Sequence, residues 1–285
     1  MILKYIKDRI QTVGFIKKIT ETMKIVSASS FKKYEKLLFN SSKYLEILKD
    51  NILSLSYNYN IFFHKFFYTK KGSEVLLVVF GNDKSLCGSF NSRIVNRINI
   101  LSKENYKFFF IGKKIYNIMY PKYKKDILGF SPFFLNKNTK LNIEQAFNLV
   151  SKINNLLKKQ EISSCEILYS KFYSIMDHRI NKVQLLPFVI SQFNSSSIRY
   201  NFFEIDDNIE VITDLVLKKY LNAIIFNIYC NSIISENSAR MIAMENANKN
   251  SNKKLQQLKL MYNKSRQDSI TRELIEVISG AEGLK

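Results

Sequence analysis

Proline and glycine are scarce in this chain, and their positions divide it into parts. There are three prolines and eight glycines among 285 residues. The prolines, Pro121, Pro132 and Pro187, all lie in the middle, and Gly14 is the only glycine before Gly72. Because these two residue types interrupt helices most strongly, their distribution predicts long helices at both ends and a globular insert between them.

Cysteine and histidine are rare as well. The three cysteines, Cys87, Cys165 and Cys230, lie far apart without paired spacing, and only His64 and His178 could join them. This pattern fits a reducing compartment and predicts neither a disulfide framework nor a metal site. We interpret both histidines as surface or loop residues and Cys87 as a buried structural thiol. We expect no catalytic residue, no cofactor and no metal.

Uncharged runs are too short to cross a membrane. The run between Lys219 and Glu236 has sixteen residues and no other is longer, whereas a membrane span needs about twenty mainly apolar residues. Charges at Lys4, Lys7 and Asp8 leave no room for the apolar core of a signal peptide. We therefore expect a soluble protein that is not exported.

Positive charge is abundant. The net charge of +20 is typical of proteins that bind nucleic acid or an anionic membrane surface. The excess is spread out, however, at +6 over residues 1–60, +11 over residues 61–208 and +3 over residues 209–285. Charge alone therefore does not identify a partner. A basic coiled-coil protein that binds nucleic acid is the alternative function, and it would require basic residues clustered with aromatic ones along one face.

Apolar residues at helical spacing predict a long helix at each end. They recur from Ile6 to Leu55, and the later part alternates steps of three and four, as in a coiled coil. A second pattern starts after the acidic turn at residues 204–208 and meets no glycine or proline until Gly280. At 1.5 Å per residue the two helices would be about 75 and 105 Å long. Helices of that length make sense only if they pair, and the insert that joins them makes the pairing antiparallel.

Short apolar runs between the helices predict buried strands. They are continuous and rich in β-branched or aromatic residues, which suits strands covered on both faces of a parallel sheet. The runs are residues 74–80, 106–111 and 166–170. Helical patterns at residues 92–101 and 143–158 alternate with them, and residues 183–190 suit an edge strand because they include Pro187.

These patterns together predict an α/β fold in three parts. Residues 1–60 and 209–285 form a long antiparallel coiled coil of N- and C-terminal helices. Residues 61–208 form a Rossmann-like three-layer α/β domain.

The loop after the first predicted strand is the candidate for binding a phosphate. Residues 81–89 follow a strand and precede a helix, but Ser89 rather than lysine follows Gly88. The three close glycines of a dinucleotide-binding loop are missing too. We therefore predict no nucleotide site there. A third interpretation, a small α/β enzyme with helical arms, would require a pocket with perturbed ionisable groups.

Four stretches resemble the gamma subunit of F-type ATP synthases, in the family's order and near its spacing. They are residues 16–29 (IKKITETMKIVSAS), 82–91 (NDKSLCGSFN), 170–188 (SKFYSIMDHRINKVQLLPF) and 235–284, which include NKSRQDSITRELIEVISGA. The resemblance covers nearly the whole chain. Lys84, Ser85 and Ser89 depart from the family's usual S-D-R-G-L-C-G-G-L-N, so we expect no special backbone role for that loop.

The resemblance implies a non-catalytic rotor. In that family the paired terminal helices fill the centre of a hexamer of alternating alpha and beta subunits, and the α/β domain lies near the membrane ring of c subunits. Proton or sodium flow turns the rotor, which cycles the catalytic beta subunits. An epsilon subunit is a further expected partner, and nucleic acid is not. The expected location is the cytoplasmic face of a bacterial inner membrane, the alternative being the matrix side of the mitochondrial one.

The resemblance also implies which residues contact neighbouring subunits. Met23 and Arg240 match contacts in the lower shaft. Arg266 and Gln267 match contacts with a beta-subunit loop, and Thr271 and Glu276 match contacts in the upper shaft. Residues 278–285 match the tip that turns in an apolar sleeve. Glu204 matches a contact with the membrane ring, although Ile205 stands where the family commonly has proline. For each position, an ordinary exposed coiled-coil side chain is the alternative.

Overall fold

The computed structural model describes residues 2–68, 74–101, 106–132, 148–153, 155, 162–189 and 208–282. The chain forms two compact units. One consists of Met1–Ala28 with Arg240–Lys285, and the other of Ser29–Ala239. Both terminal helices contribute to each unit.

Two long helices frame a set of short elements. In chain order the elements are α1 (Ile2–Asn58), a 3-10 turn (Ile61–Phe63), β1 (Val75–Phe80), α2 (Phe90–Leu101), β2 (Tyr106–Ile111), α3 (Lys113–Tyr123), β3 (Ile127–Ser131), α4 (helical residues 148–153), β4 (Ser164–Phe172), β5 (His178–Leu186) and α5 (Ile209–Glu282). The terminal helices contain 57 and 74 residues. The predicted long helices are confirmed, and α5 continues through Gly280 to Glu282.

The five strands form one sheet in the order β3-β2-β1-β4-β5. The first four are parallel, with Val75 of β1 opposite both Tyr106 and Ser164, and β5 is antiparallel to β4. The three predicted buried strands and the edge strand are therefore confirmed. The edge strand lies earlier than predicted, since it begins at His178 and ends just before Pro187.

The sheet is covered on both faces, which confirms the three-layer arrangement. Leu77 and Val79 of β1 pack with buried residues of α2 and α3. The alternate residues Leu76 and Val78 point to the opposite face and are fully buried. Burying each such side chain stabilises the fold by about 1.5–3 kcal/mol. The sheet therefore lies in an apolar core, to which Ala239 of α5 also contributes.

The loop at residues 82–91 has a specific backbone conformation, which corrects our expectation that it would have no special role. Leu86 and Gly88 have φ of 66° and 60°. The Asn82 amide donates to the carbonyl of Lys84 (2.9 Å) and to Cys87 Sγ (2.8 Å), and its oxygen accepts from Asn91 (2.7 Å). These side-chain hydrogen bonds hold the turn although Ser85 and Ser89 replace two of the three glycines of the family's motif; Gly88 is retained.

The prediction for the histidines is wrong for His178. This residue opens β5 and is buried, with Arg93 Nη1 3.4 Å from its Nε2 and from its carbonyl oxygen. Burial, with the nearby Arg93 charge, lowers the pKa of His178. His64 follows the 3-10 turn, as expected for a loop residue, but its imidazole is half-buried rather than fully solvated. The sequence patterns did not indicate that His178 is buried and His64 is half-buried, because charged residues that contact their imidazoles lie far from them along the chain.

Candidate functional site

In the unit formed by the chain ends, α1 and α5 pack side by side and antiparallel. Lys24 forms an ion pair with Glu245, and the Asn248 amide lies 3.5 Å from the carbonyl oxygen of Lys17. Partner numbers rise on α5 as they fall on α1, which defines the antiparallel direction. Small residues such as Ser27 of α1 and Ser251 of α5 are buried. Their size lets the two backbones approach closely.

The last part of α5 is not covered by the described part of the chain. Every residue from 270 to 279 is exposed, although several are large and apolar. They include Ile270, Leu274, Ile275, Val277 and Ile278, which are 44–70% exposed. A helix that exposes this much apolar surface is typical of a segment that another protein surrounds.

Arg266 and Gln267 lie on this exposed part of α5. The Thr271 hydroxyl donates to the backbone carbonyl of Gln267 (3.0 Å), which leaves the Gln267 side-chain amide uninvolved in that bond. Among the described residues, no ion pair or hydrogen bond engages the Arg266 guanidinium. Glu276 is exposed as well. Four of the six predicted contact residues are therefore exposed on α5.

The two predicted contacts of the lower shaft differ from these four. Met23 is partly buried on α1. Arg240 is 5% exposed and makes contacts within the chain. It is separated from Arg266 by about 39 Å along α5 at 1.5 Å per residue. The six residues are thus spread along a helical surface rather than gathered in one cluster, and Glu204 lies outside the described residues.

A charged cluster near the start of α5 was not found by sequence reasoning. Asp214 accepts a hydrogen bond from Lys65 (2.8 Å), lies 3.3 Å from His64 Nε2 and forms an ion pair with Lys218. Burial alone would raise the pKa of Asp214, but the hydrogen bonds from Lys218 and Lys65 overcome it and lower the pKa to about 2. Burial and the charge of Lys65 lower the pKa of His64. The i, i+4 spacing of Asp214 and Lys218 was the available signal.

These charged groups lie beside a groove of about 720 Å³ lined by Tyr59, Phe63, His64, Val211 and Asp214. Phe63 and Val211 are 72% and 65% exposed. The groove thus combines a compensated charge cluster with exposed apolar side chains, a combination that suits contact with another protein.

Other kinds of site find little support in the described residues. Across these residues, no three His, Cys, Asp or Glu side chains lie together in a way that could hold a metal ion. None of the described helices combines the length and apolar character needed to cross a membrane. Cys87 is buried and contacts Asn82, which is the environment expected of a structural thiol.

Comparison with known proteins gives a consistent result. The family described as ATP synthase matches residues 2–284. The chain is 34% identical to the ATP synthase gamma chain of Rickettsia felis over 294 residues, with 99% of each chain covered. It is 32% identical to the ATP synthase gamma chain of Clostridium kluyveri over 285 residues, with 98% of this chain and 97% of the relative covered.

Solved structures with a similar fold come from ATP synthase assemblies. A chain of the Euglena gracilis mitochondrial ATP synthase, in an OSCP/F1/c-ring structure, is similar with a TM-score of 0.71. That match has 13% identity and covers 99% of this chain and 94% of the other. A chain of the Tetrahymena thermophila central stalk and c-ring has a TM-score of 0.59 at 20% identity, with 80% of this chain and 99% of that chain covered.

Proposed function

The chain belongs to the ATP synthase gamma chain family, and from that premise we propose that it is the central-stalk rotor subunit of an F-type ATP synthase. As such it performs no covalent chemistry. It couples ion flow through the membrane ring to conformational cycling of the catalytic beta subunits. The observation that carries this proposal is the similarity over nearly the full length of both chains, and the apolar residues exposed at the end of α5 agree with it.

The proposed mechanism requires that the shaft is not symmetric about its axis of rotation. A rotor that presents a different side chain to each beta subunit stabilises a different conformation in each, because it can shift only those equilibria in which its contacts differ between states. Exposed groups on α5 suit this role. Arg266 can donate charge-assisted hydrogen bonds and Gln267 can donate and accept neutral ones, so both can be engaged and released as the shaft turns.

We propose that the contact surface consists of the six residues predicted from the resemblance, with unequal roles. Arg266, Gln267, Thr271 and Glu276 are exposed and meet the alpha and beta subunits directly. Arg240 is buried, and we assign it an indirect role in holding the lower shaft in shape. Met23 is partly buried, and its role is intermediate between direct contact and support of the shaft. Glu204, with the membrane ring as its partner, belongs to the same proposal.

The wider assembly includes the alpha and beta subunits, the epsilon subunit and the c-subunit ring. The solved assemblies that contain similar chains are named for F1 and the c-ring, which supports these partners. In functional terms we assign residues 1–60 and 209–285 to the shaft and residues 61–208 to the domain beside the ring. The nucleic-acid alternative gains no support, because the named relatives are ATP synthase gamma chains.

Two finer features complete the proposal. The two sequence relatives named above are bacterial, which supports a peripheral position on the cytoplasmic face of a bacterial inner membrane. A similar solved chain comes from a mitochondrial ATP synthase, so the matrix side of a mitochondrial inner membrane is the alternative. Protons are the coupling ion that we propose, with sodium as the alternative. Dependence of ATP synthesis on sodium, measured in membrane vesicles with and without that ion, separates the two.

Co-purification tests the rotor function. A tagged chain expressed in its own cell should recover two larger ATPase subunits at three copies each per tagged chain. Capture of nucleic acid in their place, with steep dependence on salt, would contradict the proposal. Recovery of the chain alone from a membrane-containing lysate would contradict it too.

A further inference from the structure

The strand β4 is longer than its parallel neighbour. Its pairing with β1 runs from Val75 opposite Ser164 to Val79 opposite Leu168 and stops there. Pairing with β5 on the other side continues to Phe172. Among the residues that the structure describes, no strand pairs with the last four residues of β4 on the β1 side. Buried backbone groups on that side still require hydrogen-bond partners.

Helix α5 supplies those partners through its side chains. The Ser235 hydroxyl donates to the carbonyl of Ser170 (3.1 Å), and the Phe172 amide donates to Asn231 Oδ1 (3.3 Å). Residues 170 and 172 are two apart, so their backbone groups point to the same side of the strand. The side chains of α5 thus continue the hydrogen bonding that β1 provides further back.

A third bond extends this contact into the turn after β4. The Ser238 hydroxyl donates to the carbonyl of Ile175. Asn231, Ser235 and Ser238 follow the i, i+4, i+7 spacing of one helix face, and all three are buried. We call these three side chains and their three backbone partners the hairpin clamp.

The hairpin clamp is geometrically restrictive. The two acceptors and the one donor that β4 and the turn after it contribute are backbone groups. Backbone groups have no side-chain rotamers to change, so they cannot follow a helix that slides. The Asn231 side chain is itself held in place, because its amide donates to the carbonyl of Asn227 (3.1 Å) and to the side-chain oxygen of Asn227 (3.0 Å). A slip of α5 by one residue would displace the helix by about 1.5 Å and about 100°, which breaks all three bonds.

From this geometry we infer that the hairpin clamp transmits torque between the α/β domain and α5, with Asn231, Ser235 and Ser238 as positioning residues. This inference rests on the rotor function proposed above. Apolar burial is non-directional and holds the helix against the sheet without fixing its angle. Directional hydrogen bonds fix the angle. The clamp therefore matters most when the rotor works against a load.

The test uses the complex of this chain with its own alpha and beta subunits. A bead is attached to the α/β domain through Asn117→Cys, an exposed position on α3, the described native cysteines being buried. The test variant combines Asn231→Ala, Ser235→Ala and Ser238→Ala. The control is Ser269→Ala, whose hydroxyl bonds to the carbonyl of Ser265 within α5 (3.0 Å) and not to the sheet.

We expect unloaded ATP hydrolysis by the test variant to stay within about twofold of wild type, while the torque delivered to the bead under viscous load falls about twofold or more. Hydrogen exchange at the Phe172 amide should rise about tenfold in the same complex, because the clamp opens locally. Ser269→Ala should change neither quantity. If the triple variant does not assemble, Ser235→Ala alone is measured in the same way, with the same direction expected.

Two outcomes overturn different statements. Full torque from an assembled variant with faster exchange at Phe172, or equal loss of torque in Ser269→Ala, overturns the torque role of the clamp. A wild-type chain that joins no hexamer overturns the proposed rotor function, and the torque role with it.

Discussion

Replacing Arg266 by Ala should impair the complex while leaving the chain folded. Arg266 is exposed on α5, and Ala and Arg have similar helix propensities. The isolated variant should therefore match wild type in circular dichroism. A hydrogen bond to a charged group contributes about 1.5–3 kcal/mol. At 1.4 kcal/mol per factor of ten, the rotor state that makes this contact loses about 10- to 150-fold in relative population.

The assay compares ATP hydrolysis, assembly yield and circular dichroism for wild type and Arg266→Ala reconstituted with the alpha and beta subunits. We expect about a tenfold or greater decrease in cooperative turnover or in yield. Arg272→Ala is the matched control, because Arg272 is also exposed on α5 but lies about 120° around the helix from Arg266. Unchanged rate and yield for Arg266→Ala would refute the role assigned to Arg266.

Three further predictions concern other parts of the chain. Deleting residues 280–285 should leave substantial coupled activity, because we expect the tip to act as a bearing and not as a catalytic element; complete loss of ATP hydrolysis in an assembled complex would contradict this. Cys87→Ala should lower the free energy of unfolding by about 1–2 kcal/mol, because it removes the buried sulfur that Asn82 contacts, and should leave turnover unchanged; denaturant titration and ATPase assays measure the two effects, and a large loss of turnover would favour an enzyme. The Asp214 cluster stabilises the fold when the carboxylate is ionised, so its contribution is present above about pH 4 and is lost as the pH falls towards the folded pKa of about 2. Asp214→Asn should therefore flatten the loss of stability between pH 4 and pH 2 in urea titrations, and a slope equal to that of wild type would contradict the assignment.

The sequence predicted the elements whose signals are local. The runs that became β1, β2 and β4 are continuous and apolar because both faces of the sheet are covered. Strand β3 was missed because it lies at the edge and is only partly buried, with Leu128 and Phe130 exposed at 42% and 41%. Helix α3 was missed because Pro121 lies inside it. Proline disrupts a helix interior but is tolerated here near the end of the helix.

The sequence could not predict which polar residues are buried. Residues 228–239 include several polar side chains, yet every residue in this range is buried. Asn231, Ser235 and Ser238 have partners on β4 and the turn after it, about sixty residues earlier. Likewise, the resemblance pointed to Arg240 as a contact residue, but only the structure shows that it is buried. Helical spacing reports how often apolar residues recur and not what covers them.

The pairing of Lys24 with Glu245 has a consequence for how this family can change in length. Between Glu245 and Arg266 the helix α5 is continuous, so each residue inserted or deleted there turns Arg266 by about 100° relative to the paired face. A deletion of seven residues nearly restores the direction, to within about 20°, but withdraws Arg266 by about 10 Å. With the role that we propose for Arg266, the number of residues in this segment sets the rotor angle at which Arg266 meets its partner. Changes of length are tolerable in the surface loops of the α/β domain. In this segment of α5 they would change the rotation angle at which the contact is made.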